Sequence, residues 1–520
     1  MSLTPFTDRA SIQSLPNEIK ATIFEFVIFE ATKSRSFNFQ IGGGLPPQLI
    51  LMAVCTDWAG LCIDLPELWT RISIALLPAR PARASDWNQF AVACERALGW
   101  SRLLSLDLEL EHWHLNDDSI QTASYWNTVN GGRVFDSTGL SLRILQFSIQ
   151  QCERWKSFAM LGYDDDMEAQ PRAGIPWRYL VNVTNLIPKL QTISFTHLWQ
   201  MPPSAPQPRT TYLDTFLVAP SLSVASFNAC FAPLNLPWAQ LTEINVDTVG
   251  FVDFHDIANY FVMLMRRTTA HTVSWSHNMD FHDIVDGIFP ADSTIENPHI
   301  VKLELIPMML PKMRLPNLTD LEFTLTGVSE DFVDTVSGVT SLLKDSHCRL
   351  LVLTLNHSHS TEDIRTVAPL LPYLGSLQSL TCNAILHDAD IALDLLEGLR
   401  DLLVATTFSL PKLTTLTVNL AQSTREQDSD SIDLCVLDAF HAEAVWQIVQ
   451  TRMLAASSSA VKLEHFLIEL VAAPSGTRDP IEASDGGFQN SSAGRNIMAA
   501  GVDFKLKLPA QTSQVVPMDE

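Results

Sequence analysis

Pro316-Asn-Leu318-Thr-Asp-Leu321-Glu-Phe323 is the stretch whose reading decides the fold. Its pattern is apolar, two residues of any kind, apolar, one of any kind, apolar, with a proline two positions ahead. The phrase returns as Pro188-Lys-Leu190-Gln-Thr-Ile193-Ser-Phe195 and as Pro411-Lys-Leu413-Thr-Thr-Leu416-Thr-Val418. Looser copies begin at Leu103, Leu142, Leu222, Leu241, Ile300, Leu350, Leu377 and Leu463. Alternating apolar residues describe a strand with one buried face. A single such unit cannot bury that face alone, so recurrence predicts stacked units with a shared core. Stacks of this kind characteristically bind other molecules and leave them chemically unchanged.

The chain has 520 residues, of which 46% are apolar and 18% charged. Ordinary soluble proteins are about 25% charged, so a large core is affordable here. The longest apolar candidate for a membrane span, Leu49 to Ile63, is too short and carries Asp57. The first residues lack a basic segment followed by an apolar one, so a cytoplasmic or nuclear location is expected. A net charge of −24 opposes any phosphate-binding surface and excludes nucleic acid as the expected partner. No two of the eight cysteines have the two-residue spacing of a zinc or redox pair. They are expected to be reduced, buried and apolar in role.

Residues 1–13 read as a flexible arm. From Ser14 to Phe29 a helix is predicted, with Ser14 as cap, Pro16 in the first turn and Glu18 matching the helix dipole. Ile19, Ile23, Phe24, Phe26 and Val27 give it a broad apolar face. Residues 31–44 read as an excursion, because Gly42-Gly-Gly44 suits no regular element. A second helical stretch runs from Pro47 to Cys62, and Leu65-Pro-Glu-Leu-Trp69 closes a module spanning 14–74. Repeats fill 85–510, with helices at Ser85–Trp100, Phe254–Arg267 and Ile432–Leu454 and a mobile loop at about 474–496. Val502 to Leu508 is a final edge strand whose lysines discourage further pairing, and 511–520 is a tail.

The phrase resembles that of leucine-rich repeats. The resemblance implies an α/β fold, an irregular solenoid whose curved parallel sheet has helices on its convex side. Residues between the apolar positions then face out across the sheet. From these the candidate target-binding residues are Asp107, Glu109, Thr192, Ser194, Glu243, Asp320, Glu322 and Thr415. Short hydroxyls, amides and carboxylates are also what a merely solvated face requires. Acids outnumber bases 58 to 34 across the chain, so the acidic bias of these positions carries little weight. The Asn or Cys that normally bonds the turn is present only as Cys230, in the Leu222 copy, so the array is irregular. Eleven of twelve tryptophans precede residue 276, and filling the core between repeats explains them.

Residues 14–74 resemble an F-box of the version found ahead of irregular leucine-rich repeats in many fungal, especially mushroom-type, proteins. The resemblance rests on Leu15-Pro-Asn-Glu-Ile19-Lys-Ala-Thr-Ile23-Phe24, Leu49-Ile-Leu-Met-Ala-Val54-Cys55-Thr-Asp-Trp58 and Leu65-Pro66-Glu-Leu68-Trp69. It implies a three-helix module that docks on a Skp-type adaptor of a cullin–RING ubiquitin ligase. The adaptor contacts it implies are Leu15, Pro16, Ile19, Ile23, Val54, Cys55 and Trp58. Trp69 is expected to be internal.

No catalytic constellation is visible, and no cofactor or metal is expected. Gly42-Gly-Gly44 lacks the Lys-Ser/Thr of a phosphate loop, and no Gly-x-Ser-x-Gly elbow exists. His271, His277 and His282 with Asp280 and Asp283 cluster in sequence, but their spacing fits no helix or hairpin ligand set. The expected function is therefore a non-enzymatic substrate receptor, with the F-box on the adaptor and the repeat sheet on an unidentified target protein. The alternative is a leucine-rich scaffold whose degenerate F-box engages no ligase, and an enzyme using the His271–His282 region is a remote third.

Overall fold

A computed structural model describes residues 15–32, 37–40, 45–76, 84–113, 140–162, 177–196, 214–228, 234–248, 254–277, 294–305, 312–325, 329–357, 364–386, 389–405, 410–422, 439–456, 463–471, 491–500 and 502–507. The expected arm, residues 474–490 of the expected mobile loop and the tail lie outside the described residues; the end of that loop is instead helical, since Ser492–Ala499 form a helix that the Ser491 hydroxyl caps by accepting from the Gly494 N–H. The protein is α/β, and the chain divides into two compact units, Met1–Tyr260 and Phe261–Glu520. The module at 14–74 and the first repeats share the first unit.

The first unit opens with α1 (Asn17–Thr32), β1 (Phe37–Gln40), α2 (Pro47–Val54) and α3 (Thr56–Asp64). A 3-10 turn at Pro66–Trp69 leads to β2 (Arg71–Ala75), α4 (Ala84–Trp100), β3 (Leu106–Trp113) and α5 (Leu140–Ile149). Then come β4 (Trp155–Gly162), the short α6 (Trp177–Leu180), β5 (Thr192–Thr196), β6 (Val224–Asn228) and β7 (Glu243–Thr248). The strands pair in chain order and every pairing is parallel.

Register explains the repeated phrase. Ile72, Leu108, Phe158, Ile193, Ala225 and Ile244 stand side by side across β2–β7, and so do Ile74, Leu110, Met160, Phe195, Phe227 and Val246. All twelve are buried. A slip of one residue would turn either column to solvent, so the hydrophobic pattern itself holds the register.

The second unit repeats the scheme. After α7 (Phe254–Arg267), which contains the division, come β8 (Thr272–His277), β9 (Ile295–Glu296), β10 (Lys302–Leu305), β11 (Met313–Arg314) and β12 (Asp320–Leu325). They are followed by α8 (Ser329–Ser346), β13 (Val352–His357), a 3-10 segment at Ile364–Tyr373 and β14 (Ser379–Leu386). The unit ends with α9 (Ala389–Ala405), β15 (Thr415–Gln422), α10 (Ala439–Ala456), β16 (His465–Val471), α11 (Ser492–Ala499) and β17 (Asp503–Lys507). β8, β10 and β12–β17 form one parallel sheet, while β9 and β11 make a separate short pair. Val273, Leu303, Leu321, Leu353, Leu380, Leu416, Phe466 and Phe504 form its unbroken column. Among the described residues β17 pairs on one side only, with β16, and is the last strand of the sheet, the place expected for it.

Side chains distant in the sequence satisfy several of the turn carbonyls. Asn297 donates to the carbonyls of Met265 at 2.8 Å and Thr268 at 2.9 Å, closing the end of α7. Gln240 donates to Ala219 and Leu222, and buried Arg452 to Leu410 and Leu413. Buried Arg154 reaches the Leu104 carbonyl at 2.9 Å and the Ser101 hydroxyl at 2.5 Å. Each removes the cost of a buried unmet carbonyl, about 1–3 kcal/mol.

Four local expectations are corrected. The excursion at 31–44 contains β1, because Phe39 gains a stacking partner in Phe90 at 4.7 Å and the strand gains β2. The stretch Pro47–Cys62 is two helices, since Cys55 is extended (φ −165°) between them. The copy beginning at Leu142 lies within α5, where Ile144 and Leu145 are its buried residues. In β3 the phrase is shifted by two residues: Leu108 and Leu110 occupy the buried columns, and Leu103 is 85% exposed.

Candidate functional site

α1 is apolar on two opposite faces. Phe24 and Ile28 are buried inside the unit. Ile19, Ile23 and Phe26, at offsets of four and three residues, lie on the other side of the helix. Of these, Ile19 is 49% and Phe26 63% exposed, and Ile23 is half-buried. α2 adds exposed Ile50 and Val54, and Leu45 stands exposed just before it. α2 follows from Pro46, whose carbonyl accepts from Leu49 and Ile50, so the helix start is fixed by backbone bonds alone. The carbonyl of Pro16 does the same for Ile19 and Lys20 at 3.1 Å each.

The seven residues implied as adaptor contacts fall as follows. Pro16, Ile19 and Val54 are exposed, and Leu15, Ile23, Cys55 and Trp58 are half-buried. Trp58 packs on Phe24 with ring centroids 4.9 Å apart, which ties α3 to α1. Its indole N–H has no acceptor among the described residues. Phe26, Ile50 and Leu45 are surface residues that the motif did not carry over; the apolar count on both sides of α1 was the available signal. Trp69 is internal, as expected. It is fully buried, donates to the Cys62 carbonyl at 2.8 Å and lies 4.6 Å from the Trp100 ring, joining α3 to α4.

The outward sheet positions are also where the phrase sets them. In the first unit Asp107, Glu109, Thr192, Ser194 and Glu243 are half-buried and share one sheet face. Arg71 lies 3.6 Å from Asp107, and the Ser73 hydroxyl donates to Glu111. Burial, and then the neighbouring Glu111, push the Glu109 carboxyl above its usual range. In the second unit Asp320, Glu322 and Thr415 occupy the equivalent face. There Glu322 begins a ladder: Asn356 donates to it at 3.0 Å, Asn383 to Asn356 at 2.6 Å, and Asn419 to Asn383 at 2.8 Å.

Cys62, Cys94, Cys152 and Cys382 are buried free thiols, as expected, whereas Cys55 and Cys348 are half-buried; burial pushes Cys62 and Cys382 up to about 12, keeping them protonated. Among the described residues no three His, Cys, Asp or Glu side chains converge as metal ligands. His271 is exposed just before β8; Asp280, His282 and Asp283 lie outside the described residues. Among the described residues no helix is long and apolar enough to cross a membrane. Compared with known proteins, the sequence matches no protein-family model and no curated protein.

Proposed function

We propose that this chain is a substrate receptor of a cullin–RING ubiquitin ligase, made of an F-box-like module and irregular leucine-rich repeats. The observation that carries the reading is the second apolar face of α1, with Ile19, Ile23 and Phe26 opposite the core-facing Phe24 and Ile28. Exposed contiguous apolar surface marks a docking site, and an apolar helix face suits helix-in-groove binding. Burying a side chain such as Ile19 or Phe26 stabilises a complex by roughly 1.5–3 kcal/mol. None of the seven residues that the motif assigns to a Skp-type adaptor is fully buried in the core. The outward sheet faces would then hold the target. The mechanism is proximity: target lysines gain effective concentration near a charged conjugating enzyme, and the bond-making groups lie elsewhere.

The test is capture of a purified Skp-type adaptor by the full chain. Wild type should retain the adaptor. Leu15→Ala with Pro16→Ala should abolish retention while leaving thermal unfolding largely unchanged, and Phe26→Asp should do likewise. Failure of wild type to capture any such adaptor would favour a scaffold uncoupled from ubiquitination.

A further inference from the structure

Among the described residues all five carboxylates on the outward face of the first sheet stand on β3 and β7. β3 carries Asp107, Glu109 and Glu111, and β7 carries Glu243 and Asp247. The three strands between them carry no charge at the outward positions. Their residues are Ser157, Ala159 and Leu161, then Thr192, Ser194 and Thr196, then Val224 and Ser226. Register puts these residues in line: Asp107, Ser157, Thr192, Val224 and Glu243 form one row, and Glu109, Ala159, Ser194, Ser226 and Asn245 the next. The result is a floor of mostly small side chains between two walls of acid. The Lys and Arg residues on β2–β7 are Arg71, beside Asp107, and Lys156, at the bulge where β4 begins; His112 stands near the end of β3. Among the described residues Glu109 and Glu243 have no ion pair, and Glu243 accepts only from the Asn245 amide, at 3.0 Å.

Dimensions and charge choose the occupant. Four strand spacings of about 4.8 Å separate β3 from β7 by about 19 Å. A helix is about 10–12 Å across, and a Lys or Arg on each flank extends its reach to both walls. A lone extended segment is too narrow to reach both. The five-residue strands are about 17 Å long, which matches three helical turns of about 5.4 Å. Leaving Glu109 half-buried beside Glu111 costs the chain free energy, and a cation at that place removes the cost.

We propose that this trough binds an α-helical segment of a target protein, small residues facing the floor and Lys or Arg on both flanks. The proposal deepens the substrate-receptor reading, since it names the target's chemistry, and it rests on that reading for its biological purpose.

The experiment titrates the full chain into a fluorescent 20-residue Ala/Lys helix with lysines on two flanks, and follows anisotropy. Controls are the same peptide with central prolines and a Glu-for-Lys counterpart. Wild type should bind the Lys helix at least tenfold more tightly than either control. Glu109→Gln with Glu243→Gln should weaken binding about tenfold, whereas Glu95→Gln with Glu153→Gln, acids outside the trough, should leave it unchanged. Ser194→Trp should weaken binding without altering charge, and Ala159→Gln provides the same test if that variant unfolds. Equal binding by the two double variants would overturn the proposal, because attraction would then reflect net charge alone. Equal binding by the proline-broken peptide would overturn the helical occupant. Adaptor capture is measured on the same proteins. A chain that captures adaptor but ignores the helix loses only this inference, and one that binds the helix without adaptor loses only the ligase reading.

Discussion

The two units are built on one scheme yet present different surfaces. Among the described residues every large hydrophobic side chain with high exposure lies in the first unit, from Ile19 to Val218; the second unit has none. The cores differ in kind as well. The first is aromatic, with Trp155 stacked on Phe158 at 4.1 Å, Phe158 against Phe195, and Phe227, Trp238 and Tyr260 in mutual contact. The second is filled mainly by leucines in column, and its outward face is tied by the Asn356–Asn383–Asn419 ladder. A sealed, laddered sheet serves stability, while apolar surface that the fold itself leaves uncovered is the mark of a region that meets partners. The lesson is that identical strand phrases say nothing about which repeats bind.

The largest expected effect tests whether the aromatic core holds its unit together as firmly as the leucine one. Trp155→Ala should destabilise the first unit by about 3–5 kcal/mol, comparable to the 2–5 kcal/mol or so expected for Leu416→Ala in the second. Denaturant unfolding measures both, and a loss under about 1 kcal/mol for Trp155→Ala would break the comparison.

A smaller effect concerns the improvised turn bonds. Asn297→Ala leaves the Met265 and Thr268 carbonyls buried without their donor and should cost about 1–3 kcal/mol. Asn297→Asp should not rescue it, since a carboxylate accepts but does not donate. Native-state hydrogen exchange would place the loss at the end of α7.

Smaller still is an acid effect confined to the second unit. Arg365, donating at 2.6 Å, and then Arg400 hold the Asp401 carboxyl below its ordinary range. The stabilisation is present above the unfolded value, about pH 4, and is lost as pH falls through the lowered folded value. Asp401 and Arg365 are both more than a third exposed, and Arg400 is half-buried, so Asp401→Asn should cost under about 1 kcal/mol at neutral pH. Thermal melts of variant and wild type should converge in strong acid; a gap that persists there would assign the loss to packing.

The smallest effect sharpens the contrast most. Phe26→Ser should change stability by less than about 0.5 kcal/mol, because the side chain has little contact to lose. A loss of several kcal/mol would mean that the exposed face of α1 is core, and the docking argument would fall with it.

Much of the fold is legible in the residues alone. Leu318, Leu321 and Phe323 are buried as the phrase demands, and Asp320 and Glu322 face away from them. Three strands outside the copies that leucine and isoleucine mark nevertheless follow the same offsets: Trp69-Thr-Arg-Ile72-Ser-Ile74, Trp155-Lys-Ser-Phe158-Ala-Met160 and Ala270-His-Thr-Val273-Ser-Trp275. Tryptophan or alanine stands there in place of leucine, and a volume change at one position is absorbed by its neighbours. The copy at Leu142 fails for the opposite reason: Ile144, Leu145 and Ser148 are buried at helical spacing, so the strand phrase there is a coincidence of composition. The candidate surface is half visible in the sequence. The motif names Ile19 and Val54, but not Phe26 or Ile50, whose exposure depends on which side of each helix its neighbours cover.

Alternation with period two and its repetition along the chain were enough to require parallel strands sharing apolar columns, because only that arrangement hides every such residue. Neither the bolts that close the turns nor the side of α1 left bare could be read that way. Asn297, Arg154 and Phe26 acquire their roles from groups distant in the chain, and folding alone brings those groups within reach.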